Sequence, residues 1–144
     1  MEKGGWTGLP KKNQSGMEFM MIERLIDSVI IIDHLNGIDK ATQFVLNLDP
    51  RQTAISVITR AEILTGVHED QQVEIIHLLD QYKLLIIDKS IADLAANLRR
   101  KYGWKLPDAF QAALAQYHKV KLSTRNSKDF QPQKHDFVEI PYTL

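Results

Sequence analysis

The chain contains no cysteine. That excludes disulfides, zinc–thiolate sites and thiol nucleophiles, and it fits a reducing, cytoplasmic setting. Net charge is also absent, because 18 Lys and Arg balance 18 Asp and Glu. A neutral total gives no push toward nucleic acid or a membrane surface. If several acids are committed to a metal, however, the remaining surface is more basic than the sum suggests. No apolar run approaches the roughly 20 residues that a membrane span needs. The longest candidate, LIDSVIIIDHL, is broken by Asp27 and Asp33. A secretory signal is equally unsupported, since Glu18, Glu23 and Arg24 interrupt what would be its apolar stretch. His34, His68, His77, His118 and His135 show no paired ligand spacing, which argues against zinc. There is no internal repeat and no low-complexity tract.

What remains is an ordinary globular composition: 144 residues, 44% hydrophobic and 25% charged. One domain of this size buries roughly 68–70% of the surface that its unfolded chain exposes. Residues 1–20, rich in Gly, Lys and polar side chains, read as a flexible extension, with residues 21–144 as the domain. From Arg24 onward the text alternates strand and helix. LIDSV reads as a strand, and VIIIDHLNG follows it with a stop at Asn36–Gly37. Ile38, Ala41, Val45 and Leu48 recur at helical spacing before Asp49–Pro50. TAISVI is β-branched and reads as a strand. TRAEILTG opens a helix that continues into QVEIIHLLDQY, with Val73, Ile76, Leu78 and Leu79 near one face. LLIID reads as a third buried strand. SIADLAANLRRKYG is the clearest helix, with Ser90 as N-cap and Gly103 as stop. PDAFQAALAQYH has Pro107 preset for a first helical turn. VKLST and FVEI supply the last strands. Repeated strand–helix units predict a three-layer α/β/α sandwich around a mainly parallel sheet. Right-handed crossovers put the strand C-termini on one edge, where such sheets bind ligands.

Four acids fall where strands give way to helices or turns: Asp27, Glu62, Asp108 and Asp129. Each has a structural reading of its own. Asp27 suits an N-cap. Thr59-x-x-Glu62 is a capping-box pattern. Asp108 in a first helical turn gains from the helix dipole. Asp129 suits a solvated turn. Their shared edge changes the reading, because converging carboxylates repel one another unless a cation lies between them. Mg²⁺ or Mn²⁺, which prefer oxygen ligands, answers that need.

Taken in order, LIDSVIII, SVITRAEILTG, LPDAFQAALA and LSTRNSKDF resemble the four blocks of the PIN domain, especially the toxins of VapC type. The resemblance covers about residues 22 to 140. Two departures stand out: Ser28–Val29 replaces a frequent Thr–Asn pair, and Asn126 stands where an acid is common. The resemblance implies a metal-dependent endoribonuclease belonging to a toxin–antitoxin pair. It places Asp27, Glu62 and Asp108 on the Mg²⁺ or Mn²⁺, with Asp129 or Asn126 completing the set. Ser28 and Thr124 would orient those ligands. It also implies an RNA substrate, a cognate antitoxin of VapB type and a homodimer. Arg60, Lys105, Arg125 and Lys128 are the expected substrate grip, extended by Arg99, Arg100 and Lys101 if these are more than a solvated helix end. Trp104 is read as either a base-stacking platform or a core residue. A second reading from a different class is a non-hydrolytic receiver or adaptor domain, in which Asp27 would accept phosphate; a degenerate nuclease fold that only binds partners is a third.

Overall fold

The computed structural model describes residues 21–144 and, before them, only a short antiparallel pair, β1 (Lys11–Lys12) with β2 (Glu18–Phe19). The expected flexible extension otherwise lies outside the described residues. The domain runs β3 (Arg24–Ile26), α1 (Ser28–Leu35), α2 (Asp39–Leu46), β4 (Thr53–Ser56), α3 (Val57–Gly66), α4 (Gln72–Asp80), β5 (Lys83–Leu85), α5 (Lys89–Tyr102), α6 (Leu106–His118), β6 (Lys121–Ser123) and β7 (Val138–Glu139).

The strands form one parallel sheet in the order β5-β4-β3-β6-β7. Alternation within each strand sends neighbours to opposite layers. Leu25 and Ala54 join Ala109, Leu114 and Phe130 in the core under α5 and α6. Ile26 and Ile55 join Ile30, Ile31, Ile63 and Leu79 on the other face. The chain moves outward from β3 to β5 and then crosses to β6, so strand order reverses between β3 and β6. The Asp27 amide donates to the Ser123 carbonyl across that junction at 2.9 Å. Among the described residues no helix is long and apolar enough to cross a membrane.

Several local expectations shift. β4 ends at Ser56, and Val57 and Ile58 are already helical. The cap is Ser56, whose hydroxyl accepts from the Thr59 amide at 3.0 Å, rather than Thr59. Glu62 therefore lies in the second turn of α3, not in a capping box. Likewise α5 starts two residues earlier: Asp88, not Ser90, caps it by accepting from the Ile91 amide at 3.0 Å. β5 is not a buried strand. It is the sheet's edge, and Leu84 and Ile86 are exposed. In α4 only Leu79 is buried, while Val73 stands 79% exposed. Two stops hold as read, with Gly37 and Gly103 in the left-handed region at φ 78° and 73°.

Candidate active site at the strand C-termini

Asp27 directly follows β3 and caps α1, so the strand fixes its backbone while the helix begins at its side chain. It is buried, and both carboxylate oxygens are engaged. Oδ1 accepts from the Ser28 amide at 2.9 Å and from Gln111 Nε2 at 3.2 Å. Oδ2 accepts from the Thr124 hydroxyl at 2.7 Å. Three donors on one buried carboxylate offset much of the cost of removing it from water.

Gln111 was not anticipated. It is buried on α6, and Nε2 also donates to Thr59 Oγ1 at 2.8 Å. Because a carboxylate only accepts, the amide nitrogen must face Asp27. Gln111 Oε1 is left without a donor. The sequence carried a signal: a lone polar residue inside the apolar run AFQAALA, one helical turn after Asp108 and so on the same face.

A cleft of about 430 Å³ opens over this junction, lined by Asp27, Ser28, Glu62, Asp108, Gln111, Arg125, Asn126 and Lys128 among others. Asp27 after β3, Glu62 in α3 and Asp108 in the first turn of α6 share this one space, although Asp108 follows a helix, α5, and not a strand as expected. Asp129 does not line the cleft, yet its charge reaches Asp108. The Asp108 carboxyl is pushed up to about 6, first by burial, then by the negative charges of Asp27, Asp129 and Glu62, against a smaller opposing pull from Lys105. Among the described residues no three acids or histidines stand at metal-ligand spacing. The donor set nevertheless fits a hard divalent cation: the site has oxygen donors, no thiolate or paired imidazole, and negative charge that its own cations leave uncompensated.

The closing loop is self-supporting. The Asn126 amide donates to Thr124 Oγ1 at 3.1 Å, Asn126 Nδ2 donates to Asp129 Oδ2 at 3.1 Å, and the Asp129 amide donates to Asn126 Oδ1 at 3.3 Å. Asn126 here holds Asp129 in place. Trp104 is a core residue, 5% exposed, and not a platform for a base. Its Nε1 donates to the Asp129 carbonyl at 3.2 Å, and its ring packs edge-on against Phe130 at 4.8 Å. Arg99 Nη1 in turn donates to the Trp104 carbonyl at 2.7 Å.

The expected cations divide. Arg125 and Lys128 line the cleft. Lys105 is near enough to act on Asp108 but lies outside the lining. Arg60 is not brought to the cleft; it pairs with Asp80 of α4 at 2.8 Å. Arg100 bonds Asn97, and Lys101 sits 5.2 Å from the Tyr102 ring, so this helix end is tied to its own neighbours.

Known proteins are similar to this chain along most of its length. Ribonuclease VapC10 of Mycobacterium tuberculosis is 29% identical over 108 residues, covering 71% of this chain and 81% of that protein. A toxin–antitoxin complex from Klebsiella pneumoniae contains a chain 36% identical, with a TM-score of 0.79, covering 85% of this chain and all of that one. FitAcB from Neisseria gonorrhoeae, 20% identical with a TM-score of 0.67, covers 82% of this chain and 97% of its own and shares the fold. The PIN domain pattern matches residues 24–132, three-quarters of the chain and all four blocks that carry the acids, and the chain belongs to the PIN domain family.

Proposed function

We propose that this protein is a metal-dependent endoribonuclease and the toxin of a toxin–antitoxin pair. The observation that carries the reading is the gathering of Asp27, Glu62 and Asp108, from three separate stretches of the chain, into one cleft. Similarity to a ribonuclease and to a chain from a toxin–antitoxin complex supports it. Asp27, Glu62 and Asp108 would hold Mg²⁺ or Mn²⁺, with Asp129 as the fourth acid, steadied by Asn126. Such an ion, when bound, lowers the pKa of water and neutralises charge growing on a phosphate.

The chain's own residues have separate tasks. Thr124, Gln111 and the Ser28 amide hold the Asp27 carboxylate in one orientation. Trp104 and Asn126 keep the Asp129 loop against the site. Arg125 and Lys128 offer cations to the RNA backbone at the cleft mouth. The receiver reading draws no support, because the chain is similar to a ribonuclease and to a chain of a toxin–antitoxin complex. A cognate antitoxin as partner, a homodimer and a cytoplasmic setting belong to the same proposal.

The test is purified protein incubated with total RNA in Mg²⁺, Mn²⁺ or EDTA, beside Asp108→Asn. Cleavage should need the metal and be lost in the variant while its circular dichroism is unchanged. Metal-independent cleavage, or full activity in the folded variant, would falsify the assignment.

A further inference from the structure

Asp33 lies in the second turn of α1, and its side chain is 10% exposed. A carboxylate so placed is costly unless it is paired. Its partners come from two distant stretches. Arg125, just after β6, donates from Nε to Oδ2 at 2.7 Å and from Nη2 to Oδ1 at 3.2 Å. Tyr142, beyond β7, donates its hydroxyl to the same Oδ2 at 2.8 Å. Arg125 is also a wall of the cleft. Thr124, the residue before it, is bonded to Asp27, which sets Arg125 in register with the acids.

We propose that Asp33 and Tyr142 are positioning residues that hold Arg125 as a rigid phosphate grip on the wall of the acidic cleft. This rests on the ribonuclease reading and names how that site takes hold of its substrate. The side-on pair with Asp33 uses one edge of the guanidinium and fixes its plane. The remaining N–H donors have no partner among the described residues. They form the end-on fork that matches two oxygens of a phosphodiester. Tyr142 limits rotation of the Asp33 carboxylate, and so of the pair. The arrangement also solves a problem of charge. An untethered Arg125 would be drawn onto Asp27, Glu62 or Asp108 in the same cleft and would compete with a cation there. Pairing with Asp33 satisfies it at a distance from them, while leaving it able to receive a phosphate.

The experiment is a mutant cycle on the full chain: Tyr142→Phe, Asp33→Asn and Arg125→Ala, singly and with Arg125→Ala combined with each of the others. Three quantities are read: kcat and KM for a short RNA in Mg²⁺, affinity for the same RNA by fluorescence anisotropy in Ca²⁺, and Tm. Tyr142→Phe should raise KM about threefold, and Asp33→Asn about tenfold, with kcat little changed. Both effects should vanish in the Arg125→Ala background, because the two residues act through Arg125. Asp33→Asn/Arg125→Ala removes both charges of the pair and guards against misfolding of Arg125→Ala alone, which would leave Asp33 unpaired. The proposal is overturned if the variants lower Tm but leave KM and affinity at the wild-type values, or if their effects persist without Arg125. If the wild type cuts no RNA, the ribonuclease reading fails, and the affinity cycle still decides the grip.

Discussion

Replacing Asp108 by Asn should make the metal-free protein more stable while destroying its activity. Asp108 carries a penalty in the cleft, its carboxyl lying near 6 rather than 3.8. A carboxyl raised in the folded state binds its proton more tightly there than in the unfolded chain. The folded state therefore incurs no penalty below about pH 4, a growing one between about 4 and 6, and the full penalty above about 7. Taken at face value the shift corresponds to about 3 kcal/mol. Solvent screening of a half-buried group brings this to about 1 kcal/mol. Asparagine keeps the shape and carries no charge, so Asp108→Asn should raise the metal-free Tm at pH 7.5 by about 3–5 °C. The gain should fall to about a third at pH 4.5, where folded Asp108 is protonated but its unfolded counterpart is already largely ionised. Mg²⁺ should reverse the order, stabilising the wild type by about 2.7 kcal/mol at a hundredfold excess over Kd and the variant by much less. Differential scanning fluorimetry in EDTA and in Mg²⁺ at both pH values reads all four cases. An unchanged metal-free Tm at pH 7.5, or an equal gain at pH 4.5, would refute the argument that uncompensated negative charge is gathered at this site.

Other expectations follow from individual contacts. Trp104→Phe keeps most of the packing against Phe130 but loses the bond to the Asp129 carbonyl. It should cost about 1 kcal/mol in urea denaturation and weaken Mn²⁺ binding by calorimetry. Gln111→Leu removes the shared donor of Asp27 and Thr59. It should cost about 1–3 kcal/mol of stability, with reduced metal affinity as a separate readout. Phe130, fully buried between the site loop and α5–α6, is structural: Phe130→Ala should cost about 3–5 kcal/mol by urea denaturation. Arg60→Ala, which breaks only an ion pair with Asp80, should leave RNA cleavage at the wild-type rate and stability within about 1 kcal/mol.

The fold was legible because burial period and punctuation agree. RLI, TAIS and KLS alternate sides of a sheet, the first ending earlier than LIDSV suggested because Ser28 and Val29 are helical, while Gly37, Gly103 and Pro107 mark where helices stop and start. Misreadings cluster where propensity and tertiary context disagree. Val57 and Ile58 look like strand, but the Ser56 hydroxyl caps a helix there. LLIID looks buried, but its strand is last in the sheet, a fact of order that no local pattern carries. In the site, Asp27 was visible at its strand–helix boundary, whereas Asp108 turned out to follow a helix, α5, and Glu62 to lie a turn inside α3. The groups that hold them were harder to see. Gln111 was marked only by its polarity within an apolar helix. Asp33 looked like an interruption of an apolar run, and its partners lie 92 and 109 residues away. Long-range pairing of single polar side chains leaves almost no trace in one sequence, whereas periodicity repeats itself.

The central claim is that carboxylates from distant stretches jointly hold one hard cation. Crystals of this protein soaked in Mn²⁺ test it most directly through anomalous scattering. The account expects a peak in the cleft, about 2.0–2.2 Å from carboxylate oxygens of at least two of Asp27, Glu62 and Asp108. A saturating soak that leaves the cleft without a peak, or places manganese only at unrelated surface acids, would contradict it.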